Sequence, residues 1–245
     1  MRTFINQHRF AFVLMALYAL TAHLSLLTND LPYWDAWYYH LPILDGDKEA
    51  VLREWRHNGR ILIGEIYWWI GSHFGGFTSY RILSVVAITL SAMLFYALLV
   101  RHTALDRFAG QMIALLGITY QLYQVHLVST TFTYITALPF FILSVVLLLE
   151  SPNIQNRKTR LGIRVVAQAA VLASYTSGSF VVCGLIIPFL LWAIRSKLQR
   201  PWIHGIAQHY LRYGDFALAA VGYMAAMWFL MPVAGKYSHS RNLDL

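Results

Sequence analysis

Cysteine occurs once in the 245 residues, at Cys183 inside an apolar run, which excludes a disulfide framework and a cysteine-based metal site. Charge is scarce as well: Asp, Glu, Lys and Arg make up 12% of the chain, about half of the roughly 25% usual in a soluble domain. Acidic residues are the rarest, eleven against nineteen basic ones. The chain has no phosphate-binding glycine loop with its lysine, no HExxH pair and no CxxC pair. The nucleotide, zinc and thiol chemistries that those motifs carry are therefore not indicated. Internal repeats and low-complexity tracts are also missing.

What is present is apolar. Hydrophobic residues account for 58% and the mean hydropathy is +0.52. No Asp, Glu, Lys or Arg occurs in 10–29, 82–100, 108–149, 165–194 or 216–235. Each run is near or above the ~20 residues that a helix needs to cross a ~30 Å hydrocarbon core. Their Leu, Ile, Val, Phe and Ala content, without strict alternation, favours helices over a membrane barrel. The net charge of +8 could suit a nucleic-acid partner, but its distribution reads better as topology. Arg2, Arg9, Arg101, Arg107, Arg157, Lys158, Arg160, Arg164, Arg195, Lys197, Arg200 and Arg212 fall on one side of a seven-span arrangement, as the positive-inside rule requires. Residues 1–28 read as a retained anchor, because Ser25-Leu26-Leu27-Thr28 is a poor small-residue cleavage site.

The expected architecture is all-α: a single transmembrane domain over 1–245, about seven spans, with an external loop at 29–79 that holds interfacial helices. That loop carries seven of the eleven carboxylates: Asp30, Asp35, Asp45, Asp47, Glu49, Glu54 and Glu65. Within it, 48–57 has the period of a short amphipathic helix, with Val51, Leu52 and Trp55 on one face. The stretch 61–74 is apolar and aromatic but short for a crossing, so it is expected along the interface. Gly75-Gly76 breaks it, and Arg81 marks the outer end of the next span, 82–100. The run 108–149 divides near 126–130, and 165–194 divides at Thr176-Ser177-Gly178-Ser179. The last span is about 215–233.

Three groups could carry chemistry. Asp30 and Asp35 lie among Trp and Tyr just past the first span; either one suits a general base or a helix cap in an aromatic belt. Arg56, His57 and Arg60 bracket Asn58-Gly59, and paired guanidiniums meet phosphate well. The alternatives are anionic headgroups, or Arg60 paired with Glu54 or Glu65. Tyr123 and His126, with Tyr120, Gln121 and Gln124, could line a cavity or satisfy one another. His23 and Tyr175 read as packing residues.

Four stretches, the basic amino terminus with span one, PYWDAW at 32–37, EWRHNGRI at 54–61 and ASYTSGSF at 173–180, together resemble the integral-membrane glycosyltransferases of the GT-C superfamily. TYQLYQVHLVST at 119–130 adds to the likeness. The resemblance implies a bacterial inner-membrane, multi-pass transferase of polysaccharide biosynthesis, with its amino terminus cytoplasmic. It implies transfer, with inversion, of a sugar from polyprenyl phosphate to a cell-envelope glycan or lipid acceptor on the outer face. Membrane lipid would be the other partner, and nucleic acid would not be one. Asp35, with Asp30 beside it, would be catalytic. His57, Arg60, Arg56, Trp37, Tyr123 and His126 would bind substrate, and a divalent cation is the one cofactor such a reaction could use. The competing classes are a non-catalytic membrane component of polysaccharide or lipid assembly, and a transporter of lipid or small solute.

Overall fold

The structure, a computed structural model, describes residues 2–27, 41–57, 61–74, 76–120, 128–175, 180–196 and 202–230. Its helices are α1 (Arg2–Gln7), α2 (Arg9–Leu27), α3 (Lys48–His57), α4 (Ile61–Phe74), α5 (Gly76–His102), α6 (Arg107–Tyr120) and α7 (Val128–Glu150), then α8 (Arg157–Ser174), α9 (Phe180–Ser196) and α10 (Trp202–Leu230). A 3-10 turn at Ser151–Asn153 closes α7.

Local chemistry sets several boundaries. The Asp47 carboxylate accepts from the Ala50 amide at 2.9 Å, and Asp106 from Ala109 at 2.8 Å. Asn156 accepts from Lys158 and Thr159. Each satisfies amides that a helix start leaves open, a contribution of about 1 kcal/mol. Gly46, at φ 73°, makes the left-handed turn into α3.

Two cores follow. The first joins Met15 and Ala19 of α2, Val51 and Trp55 of α3, Tyr67 and Ile70 of α4, and Tyr80, Ile88 and Tyr96 of α5, with Ala114 and Ile118 of α6. The second joins Leu148 of α7, Val171 of α8, Ile187 and Leu191 of α9, and Tyr213 and Phe216 of α10, with Tyr175 beside them. Helices α5 and α7 pack against each other, as do α7 with α8 and α9 with α10. Helix α2 buries Ala11, Met15 and Ala19 and leaves Phe10, Val13, Leu17, Leu20 and Leu24 exposed. His23 and Tyr175 are fully buried.

This architecture corrects the seven-span expectation. Among the described residues, two helical stretches are long and apolar enough to cross a membrane by length and composition, Thr78–His102 and Ile135–Asn153, and 50% of each tested window is buried inside the protein. Arg9–Leu24, Arg107–Ile118 and Phe180–Arg195 are apolar but shorter. The physical reason is that a charge-free run reports an apolar helix without reporting what covers it, and here neighbouring helices cover much of it. The same finding removes the basis of the GT-C resemblance and of the placement in a bacterial inner membrane. Helices α3 and α4, expected along an interface, pack on one another, with Trp55 and Tyr67 buried and their rings in contact. Arg81, expected at an outer span end, is 2% exposed.

Candidate functional site

Of the expected site residues, Arg56 is the one whose side chain is described. It is exposed on α3 and lies 3.9 Å from Glu49, a surface pair worth little. His57 ends α3, but its side chain is outside the described set, and Asp30, Asp35, Trp37, Arg60, Tyr123 and His126 lie outside the described residues. Glu65, weighed as a partner for Arg60, pairs with Lys48 at 3.0 Å.

What the fold does assemble is a layer of charges whose members are far apart in the sequence. The guanidinium of Arg101, at the end of α5, lies 2.8 Å from the Glu150 carboxylate at the end of α7. His102 Nε2 lies 3.1 Å from the same oxygen. Arg195 donates to the Leu148 carbonyl at 2.6 Å and to the Tyr213 hydroxyl at 2.7 Å. Arg164 donates to Asp215 at 2.6 and 3.3 Å and to the Arg212 carbonyl at 2.8 Å. Tyr213 is buried at a break in α10, where its backbone leaves helical geometry (φ −125°, ψ 16°). The guanidinium carbons of Arg164, Arg195 and Arg212 each stand within 5.5 Å of its ring centroid. Burial pulls His102 below the ordinary imidazole range; Glu150 opposes that shift, while Arg101 and Arg195 reinforce it.

A second polar feature lies near the other end of α5. Tyr80 stacks on Tyr67 with ring centroids 4.4 Å apart and donates its hydroxyl to the Tyr67 carbonyl at 2.7 Å. Burial, with Tyr67 adding to it, drives this phenol far above the usual tyrosine range, so Tyr80 is a permanent donor. Near α1, His8 Nδ1 lies 2.6 Å from the Tyr96 hydroxyl. Its pKa is lowered by burial and by Arg107.

Two apolar cavities accompany these groups. One, of about 360 Å³, lies where the cores meet, lined by Ala92 and Phe95 of α5, Ala114 and Gly117 of α6, Phe141 of α7 and Phe180 of α9. Among the described residues Ser91 is the one polar side chain on its wall, and its hydroxyl proton goes to the Ala87 carbonyl at 2.7 Å. The other, of about 330 Å³, lies between α1, α2 and α5, with Arg101 at its edge.

No group of three or more His, Cys, Asp or Glu side chains able to hold a metal occurs among the described residues. The expected transfer of a polyprenyl-phosphate sugar is corrected on two grounds. The described residues assemble no group able to hold a metal, and two helical stretches among them, not about seven, are long and apolar enough to cross a membrane. The lipid-assembly and transporter classes, and the membrane-lipid and glycan partners, rested on the same membrane architecture and fall with it. The layer around Tyr213 escaped sequence reasoning because its arginines look like connector charge until α8, α9 and α10 are folded together. No family model, curated protein or solved structure matches the chain.

Proposed function

We propose that this chain is a helical binding protein for an uncharged, apolar small molecule, held in the cavity between the two cores. The observation that carries this reading is the cavity itself. Its 360 Å³ falls in the range of small-ligand sites, and four helices contribute to its wall. Among the described residues the wall carries no ionisable group, and Ser91 has already committed its proton, leaving its hydroxyl oxygen as acceptor. Such a wall rejects charge, because a buried ion without a partner is costly. It accepts apolar surface at about 25 cal/mol per Å² buried.

The test fills the cavity from its own wall. A Cβ built on Gly117 meets nothing within 4 Å, so Gly117→Leu starts its side chain in open space and adds volume there. It also replaces a helix-interior glycine, a gain of up to ~1 kcal/mol in helix propensity. An uncharged fluorescent probe such as N-phenylnaphthylamine is expected to bind the parent saturably and the Gly117→Leu protein at least tenfold more weakly. Thermal stability should be equal or higher in the variant. Equal probe affinity in both proteins would end the cavity reading.

A catalytic role is a separate proposal, supported by the sequence alone: Asp35, set among Trp and Tyr, would act as a base on a bound hydroxyl, with Arg60 and His57 offsetting developing negative charge. Mass analysis of extracted ligand after incubation is the readout. Asp35→Asn should lower any turnover by roughly 10²-fold, whereas Asp30→Asn should leave it nearly unchanged. The reverse order would assign the base to Asp30.

A further inference from the structure

The layer around Tyr213 holds more positive charge than its carboxylates balance, and we infer that it is a binding site for a phosphate monoester. Glu150 is matched by Arg101, with His102 on the same oxygen. That leaves Arg164, Arg195 and Arg212, all within 5.5 Å of one phenol ring centroid. Asp215 is the one carboxylate paired among these three. Arg195 spends donors on a carbonyl and a hydroxyl, which orient it without neutralising it. Arg212 is exposed and has no carboxylate within ion-pair distance among the described residues. Among the described residues two positive charges are therefore unmatched.

Like charges crowded this closely repel, and the fold holds them together through Tyr213, whose ring face attracts all three cations. A phosphate monoester carries about −1.5 to −2 charges and three strong acceptor oxygens, which matches the surplus. The planar guanidinium fork gives paired, charge-assisted bonds to such a group. A monocarboxylate would leave one charge unmatched. The ligand class is a soluble phosphate-bearing metabolite. Its arrival would tie α8, α9 and α10 together, since Arg164, Arg195 and Arg212 come from those three helices. This site stands independently of the apolar cavity.

The experiment is thermal unfolding of the full chain in glycerol 3-phosphate or inorganic phosphate, compared with chloride at matched ionic strength. Phosphate is expected to raise the melting temperature saturably, by roughly 3–5 °C near saturation. Chloride is expected to do little at the same ionic strength. Arg212→Gln should weaken phosphate binding about tenfold while leaving the melting temperature in chloride equal or slightly higher, because one repelling charge is gone. A purely structural Arg212 would instead lower stability in chloride. Arg164→Lys serves as the second variant: it keeps the charge but loses the fork, and the phosphate shift should shrink. An equal rise in chloride would reduce the effect to screening and overturn the site. So would an undiminished phosphate shift in Arg212→Gln, or association with phosphatidic acid vesicles but with neither soluble phosphate.

Discussion

Tyr80→Ala should lower the unfolding free energy by about 3–5 kcal/mol, the range for deleting a fully buried aromatic side chain. Tyr80 is wholly buried on α5 and stacks on Tyr67 of α4, which in turn packs against Trp55 of α3. Removing the ring opens a cavity against Tyr67, which links α5 to α4 and through Trp55 to α3. The hydroxyl adds a specific element. It donates to the Tyr67 carbonyl and accepts from the Gly71 amide, the two groups that an α-helix pairs across one turn. Tyr80→Phe keeps the ring and should cost about 1–2 kcal/mol. The approach is close enough that a Cβ at Gly71 would lie 2.7 Å from that hydroxyl and 2.6 Å from Ile43 Cδ1. Gly71→Ala should therefore destabilise too, by about 1–3 kcal/mol. Urea unfolding of the three variants checks the order. A Tyr80→Ala loss below that of Tyr80→Phe would show that the ring does not hold α3 and α4 to α5.

Much of the helix map was legible in the sequence. The amphipathic period of 48–57 placed Val51, Leu52 and Trp55 on one face, and all three are buried. The break expected at 176–179 falls between α8 and α9, whereas the one expected near 126–130 overlaps the first turn of α7, which begins at Val128. What covers an apolar helix was not legible, because lipid and a neighbouring helix impose the same composition on it. The seven-span count failed there. Arg81 shows the same limit, since a lone arginine before an apolar run looks like a boundary but is 2% exposed. The charged layer was hidden for another reason: Arg101 and Glu150, or Arg164 and Asp215, meet only through packing between helices distant along the chain. The sequence-derived site, centred on Asp35 and Arg60, lies outside the described residues.

Glu150→Ala is expected to cost about 2–4 kcal/mol and to make stability more sensitive to acid. Glu150 is the carboxylate shared by Arg101 and His102, and it ties the end of α5 to the end of α7, so both cores feel its loss. Breaking a buried pair from one side leaves the other charge without compensation, typically at 3–5 kcal/mol. These side chains are 14–24% exposed, so water recovers part of that. Glu150→Gln keeps the shape and should cost less. The pH effect follows from His102, whose folded pKa is lowered below its ordinary value, chiefly by burial. Above that ordinary value, near 6.5, imidazole is neutral in both states and stability is at its full value. As pH falls through 6.5, the unfolded chain takes up the proton first, and stability declines until the folded-state pKa is reached. The slope is at most about 1.4 kcal/mol per pH unit for one histidine. His8, also lowered, acts in the same direction. In the parent, Glu150 holds the His102 shift in check, so in Glu150→Gln the decline between pH 7.5 and 5.5 should steepen. His102→Asn should flatten it to the part contributed by the other histidines. Urea titrations at several pH values measure all three proteins. An unchanged slope in Glu150→Gln, or an undiminished one in His102→Asn, would show that this triad does not govern the acid response.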